Sequence, residues 1–203
     1  MMPAARESLL DAAYTALARR PWPVVRMVDV AAVAGVSRQT LYNEFGSKEG
    51  LARALVRREA DAYLAGVDRA LATPADPRER LAAVAEWTVS AARGNALIKA
   101  MLTGCWSERL PEPTLTAVPS SSAVPAQRRA DGPLPSPADL VALARDRAVA
   151  VLSGPGRTDA AELARSCELV VRLALSCVSA PPGEGGVTAL VRTVLPRHPT
   201  RSG

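Results

Sequence analysis

Residues 27–46, MVDVAAVAGVSRQTLYNEFG, are the part of the chain whose residue types and spacing can do chemistry. Arg38, Gln39, Thr40, Tyr42 and Asn43 crowd into one short helical stretch, between the apolar Val36, Leu41 and Phe45. Polar side chains pushed outward from a short buried helix form hydrogen bonds to phosphates and base edges. That is recognition chemistry rather than catalysis. No Gly-x-Ser-x-Gly, phosphate loop, dinucleotide fingerprint or metal-ligand cluster occurs in the chain. The single histidine, His198, lies in a tail marked by Pro196 and Pro199, which excludes a histidine triad.

The positioning elements follow from the same segment. With Met27 counted first, Val30 and Ala31 are fourth and fifth, Gly35 and Val36 ninth and tenth, and Leu41 fifteenth. A helix-turn-helix needs these types there. Ala31 is small where the second helix crosses. Gly35 can take the positive φ that closes the first helix. Ser37 is the N-cap of the second helix. Around this motif the spacing predicts a helix over 5–20 with Leu10, Ala13, Tyr14 and Leu17 on one stripe, ended by Pro21 and Pro23. Further helices are predicted over 48–71, 76–93, 95–106, 136–153, 158–179 and 185–195. Residues 107–137 hold seven of the 17 prolines and read as a loop. The expected fold class is all-α, with about nine helices. Residues 1–50 are expected to form a three-helix domain around the helix-turn-helix and residues 51–203 a second helical domain.

Residues 30–51, VAAVAGVSRQTLYNEFGSKEGL, resemble the N-terminal signature of TetR-family transcriptional regulators, I-A-x-x-A-G-V-S-x-x-T-L-Y-x-x-F-x-S-K-E-x-L. The resemblance covers about residues 5–60. It implies that Tyr42 and Lys48 hold the phosphate backbone, Lys48 from the start of the long helix. It implies that Thr40 faces the groove, beside the cap Ser37. Arg38, Gln39 and Asn43 fall at variable positions and are the candidates for base reading. Arginine pairs bidentately with guanine, glutamine and asparagine with adenine. Arg26 stands where the family often has a capping threonine; a cap is lost, and the guanidinium could itself reach a phosphate. Charge agrees with a phosphate-facing segment: residues 19–58 hold eight basic residues against three acidic ones, in a chain of formal net charge +5.

The resemblance also implies that the remaining helices dimerise and sense a small-molecule effector, so that the chain is a repressor binding a palindromic operator in double-stranded DNA as a homodimer. Leu163, Cys167, Val170, Val171, Ala174, Leu175 and Val178 form a wide stripe for the dimer interface. Trp87, Met101, Cys105 and Trp106 gather before the proline-rich segment and could line an apolar pocket. Residues 95–102 and 171–183 resemble the C-terminal domain of QsdR-like members. No cofactor is expected.

Composition bounds the rest. The chain has 203 residues, 48% hydrophobic, with 39 alanines, one Ile and one Phe, a balance that favours helices over sheets. Three scattered cysteines without a C-x-x-C pattern suit reduced thiols in a cytoplasm. The N-terminus lacks the apolar run of a signal peptide, and no membrane partner is expected. The competing reading is a helical interaction protein without sequence-specific DNA reading.

Overall fold

A computed structural model describes residues 3–73, 75–111, 134–153 and 160–195. Within them the chain is all-helical. Nine α-helices run α1 (Pro3–Arg19), α2 (Met27–Val33), α3 (Arg38–Phe45), α4 (Lys48–Leu71), α5 (Pro77–Gly94), α6 (Ala96–Thr103), α7 (Pro137–Leu152), α8 (Ala160–Ser179) and α9 (Gly186–Val194). A short 3-10 turn, Trp22–Val24, lies between α1 and α2. Among the described residues no strand occurs, and no helix is long and apolar enough to cross a membrane. Most of the expected loop, residues 112–133, lies outside the described residues.

The chain divides into two compact units. The first takes in residues up to Ala60 together with the segment from Cys105 to Pro135; the second takes in Asp61–Gly104 and everything from Ser136 onward. The helix α4 therefore contributes residues to both.

In the first unit, α1 buries Leu9, Leu10, Ala12 and Ala13. Tyr14 and Leu17 of the expected stripe are only half-buried, so the inner face is turned towards Leu9 and Ala12. Ion pairs tie α1 down. Arg58 of α4 donates to Asp11 at 2.7 Å and stands 3.9 Å from Glu7. Arg6 stands 3.7 Å from Glu44 of α3, with its guanidinium 4.7 Å from the Phe45 ring centroid. The segment after α6 belongs here too: the Trp22 amide donates to the Arg109 carbonyl at 2.8 Å.

In the second unit, α5 packs against α8, α9 and α6, and α7 packs on α8. Helix starts follow local chemistry. Asp76 accepts from the Arg78 and Glu79 amides ahead of Pro77. Asn95 accepts from Leu97 and Ile98. Ser136 and Asp139 form a reciprocal capping box. The buried centre holds Val84, Ala85, Leu97, Leu140, Ala144, Cys167, Val170, Ala174 and Val191. Its polar member, Thr88, receives the Tyr63 hydroxyl at 3.2 Å and donates to the Val84 carbonyl. One helix is shorter than its spacing predicts. α6 stops at Thr103 because Gly104 takes φ 71 and its amide turns back to the Ala100 carbonyl. Cys105 and Trp106 consequently lie beyond the helix on which they were expected.

Candidate nucleic-acid interface

The two motif helices are set by backbone and core together. The Ala34 amide closes α2 on the Val30 carbonyl, and the Val36 amide returns to Ala31 at 3.0 Å. Gly35 makes the turn with φ 68, a conformation that costs an L-residue with a Cβ about 1–2 kcal/mol. Leu41, fully buried, and Phe45, 8% exposed, pin α3 from beneath. Burial of one such side chain contributes about 1.5–3 kcal/mol. Ser37 caps α3: its hydroxyl accepts from the Thr40 amide at 3.0 Å and pairs with the Thr40 hydroxyl at 2.8 Å.

This anchoring leaves Ser37, Arg38, Gln39 and Asn43 exposed, with Thr40 and Tyr42 half-buried. The outward side chains are paired along the helix. The Arg38 guanidinium sits 5.3 Å from the Tyr42 ring centroid. The Gln39 side-chain amide donates to Asn43 Oδ1 at 2.8 Å. Both pairs are four residues apart, the spacing at which side chains of one helix meet.

Lys48 opens α4 and is half-buried. Its ammonium donates to the Pro23 carbonyl at 2.9 Å and lies 5.6 Å from the Trp22 ring centroid. Burial pulls its pKa below the ordinary lysine value. Trp22 and Pro23 thus place this cation. Sequence reasoning used Pro21 and Pro23 only as a helix stop, and missed that a tryptophan between two prolines is held as a platform.

Arg26 is the N-cap of α2 and makes no side-chain cap bond. Instead Nε and Nη2 grip Asp29 at 3.0 and 2.8 Å. The hydrogen bond from Arg26 holds the Asp29 carboxyl below its ordinary range and raises the guanidinium in turn. Arg20 stands 3.9 Å from the same carboxylate. Asp29 also occupies the first turn of α2, where negative charge suits the helix dipole. The i, i+3 spacing of Arg26 and Asp29 was visible in the sequence, and it ties Arg26 to its own helix.

The other expected residues fall as follows. In the second unit, Met101 is buried and Trp87 is half-buried, its indole donating to the Tyr63 carbonyl at 3.0 Å. Cys105, exposed, and Trp106, half-buried, belong to the first unit. On α8, Cys167, Val170, Val171, Ala174 and Val178 are buried within this chain, while Leu163 and Leu175 are half-buried. The large apolar side chains that stay exposed nearby are Leu169 of α8 and Leu190 and Val194 of α9. Among the described residues no group of three or more His, Cys, Asp or Glu is placed to hold a metal ion.

Comparison with known proteins meets this geometry. The family model described as bacterial regulatory proteins, tetR family, matches residues 9–55, which span the whole motif. The chain is 32% identical over 179 residues to the HTH-type transcriptional regulator AlkX of Mycobacterium tuberculosis, covering 87% of this chain and 76% of that protein. It is 40% identical over 81 residues to the HTH-type transcriptional activator FasR of Mycolicibacterium smegmatis, covering 40% of this chain and 37% of that one. Among solved structures, the TetR family repressor AlkX from a Dietzia strain superposes with a TM-score of 0.53 at 21% identity, covering 93% of each chain. The helix-turn-helix of α2 and α3, the family match over residues 9–55 and the relative matched over 87% of this chain agree: this chain belongs to the TetR family and is a DNA-binding transcriptional regulator.

Proposed function

We propose that the chain is a dimeric repressor that reads a palindromic operator through α3 and is released by a small, largely apolar effector. The observation that carries the reading is α3 itself: Leu41 and Phe45 are buried beneath it, while Arg38, Gln39 and Asn43 stand exposed above. A short helix so presented fits the major groove. Lys48, placed by Pro23 and Trp22, supplies a cation for the phosphate backbone, as does Tyr42 a hydroxyl.

Dimerisation is supported by Leu169, Leu190 and Val194, whose exposure on neighbouring helices α8 and α9 leaves apolar surface for a second copy. The half-buried Leu163 and Leu175 extend it. The buried members of the original stripe hold α8 to its own unit. An effector in the second unit would meet Trp87 and Met101. The Dietzia protein of the same fold is a repressor implicated in biodegradation of n-alkanes, which supports an apolar effector. Release needs differential affinity: moving occupancy from 99:1 to 1:99 takes about 5.5 kcal/mol between the two states of the protein.

The test begins with selection of preferred duplexes from a random library by the purified chain. Sedimentation of the complex and transcription from a promoter carrying the selected site follow. Two chains per duplex, lowered transcription and release by a medium-chain n-alkane support the reading. One chain per duplex removes the dimer, and raised transcription makes the protein an activator.

A further inference from the structure

We propose that Asn43 is a positioning residue that fixes the carboxamide of Gln39, and that Gln39 reads adenine in the operator. The inference rests on the reading of α3 as a base-reading helix. Gln39 Nε2 donates to Asn43 Oδ1 at 2.8 Å, one helical turn further along. A free glutamine carboxamide turns over at little cost, which exchanges its donor for its acceptor and blurs what it reads. Here Asn43 opposes the exchange. Turned over alone, Gln39 Oε1 would face Asn43 Oδ1, two acceptors with no proton between them, and only a concerted turn of both carboxamides restores the bond.

In the fixed orientation Gln39 has spent one Nε2 hydrogen on Asn43. It retains the second Nε2 hydrogen as a donor and Oε1 as an acceptor. That ordered pair matches adenine in the major groove, where N7 accepts and the N6 amine donates. Guanine presents two acceptors, N7 and O6, and rejects Oε1. Arg38 belongs to a separate pair, its guanidinium over the Tyr42 ring at 5.3 Å. Its base preference is therefore independent of Asn43.

The experiment uses the full chain. A preferred duplex is selected from a random library, and affinities are measured for every single-base variant of it. The proteins are wild type, Gln39→Ala, Asn43→Ala, the double variant, Asn43→Asp and Arg38→Ala. Gln39→Ala is expected to flatten the preference at one A·T pair by about tenfold. Asn43→Ala flattens the same pair to a similar extent, and the double variant adds nothing further. Asn43→Asp keeps an oxygen to accept from Gln39. It preserves the adenine preference while weakening all duplexes together, because the added charge repels phosphate. Arg38→Ala alters a different pair.

Independent losses at two different pairs would show that Asn43 reads a base of its own, and would overturn the proposal. So would an Asn43→Ala protein with every preference intact. A selected duplex indifferent to Gln39→Ala leaves base reading standing and removes this inference. Failure of the wild-type chain to select any duplex removes both.

Discussion

Gly66 lies under the Trp87 ring, and a Cβ at this position would fall onto the indole atoms Cε2, Cζ2 and Nε1. The ring is held there by its indole hydrogen bond to the Tyr63 carbonyl at 3.0 Å and by Arg69, 5.6 Å from its centroid. Gly66→Ala therefore forces the indole to move. Overpacking of this kind costs about 1–3 kcal/mol. Loss of the Tyr63 bond adds about 1 kcal/mol. The gain in helix propensity from glycine to alanine offsets about 1 kcal/mol. The net is a loss of about 1–3 kcal/mol. A loss of about 2 kcal/mol lowers Tm by about 4–8 °C in a chain of this size. Gly94→Ala is the control: a Cβ there meets nothing within 4 Å, so that variant should hold or gain stability. The assay is thermal unfolding of both variants, with tryptophan emission read in the native state. The packing argument is refuted if Gly66→Ala melts with wild type and its emission is unshifted.

Further predictions follow from single contacts. Lys48→Met removes a cation from each of two copies, so the slope of log K against log salt should become shallower by about 1.8, or about twelvefold less affinity lost across a fourfold rise in salt; an unchanged slope means that Lys48 meets no phosphate. Glu79 accepts two hydrogen bonds from Arg192, at 2.9 and 2.8 Å, and these hold its carboxyl below the ordinary 4.5. Its contribution to stability is complete above that ordinary value and is lost as pH falls through the lower folded-state value. Arg192→Gln should therefore destabilise at neutral pH and converge with wild type in acid, as denaturant melts across pH would show. Ellman's reagent should label Cys105, which is exposed, well before Cys177 and Cys167. Burial pushes the Cys167 thiol up to about 11, so thiolate there is scarce at neutral pH. Equal labelling rates would contradict the burial of α8.

The motif was legible because each of its positions is demanded by backbone or core. Gly35 must take φ 68, Ser37 must cap, and Leu41 must be buried, so residue type and spacing identify the helix-turn-helix without tertiary information. The helix starts at Asp76 and Ser136 were legible for the same reason. The pairings over the motif were not. Lys48 and Pro23 are 25 residues apart, and nothing local predicts that the ammonium meets that carbonyl. Which part of the α8 stripe faces its own chain was not legible, because a wide apolar stripe carries no mark of it: Cys167 and Val170 are buried within the chain, while Leu169 stands 48% exposed. Gly104 was a visible stop signal, and the apolar run through Cys105 and Trp106 outweighed it in a reading based on spacing alone.

The central claim is that α3 reads DNA as half of a symmetric pair. The most direct test is a footprint of the purified chain on the DNA flanking its own gene, at two salt concentrations, with the triple variant Arg38→Ala/Gln39→Ala/Asn43→Ala beside wild type. The account predicts a protected inverted repeat, its half-sites about 34–36 Å apart or a multiple of that, lost at the higher salt and absent with the variant. Protection that survives the triple variant unchanged, or a protected site without two-fold symmetry, would contradict it.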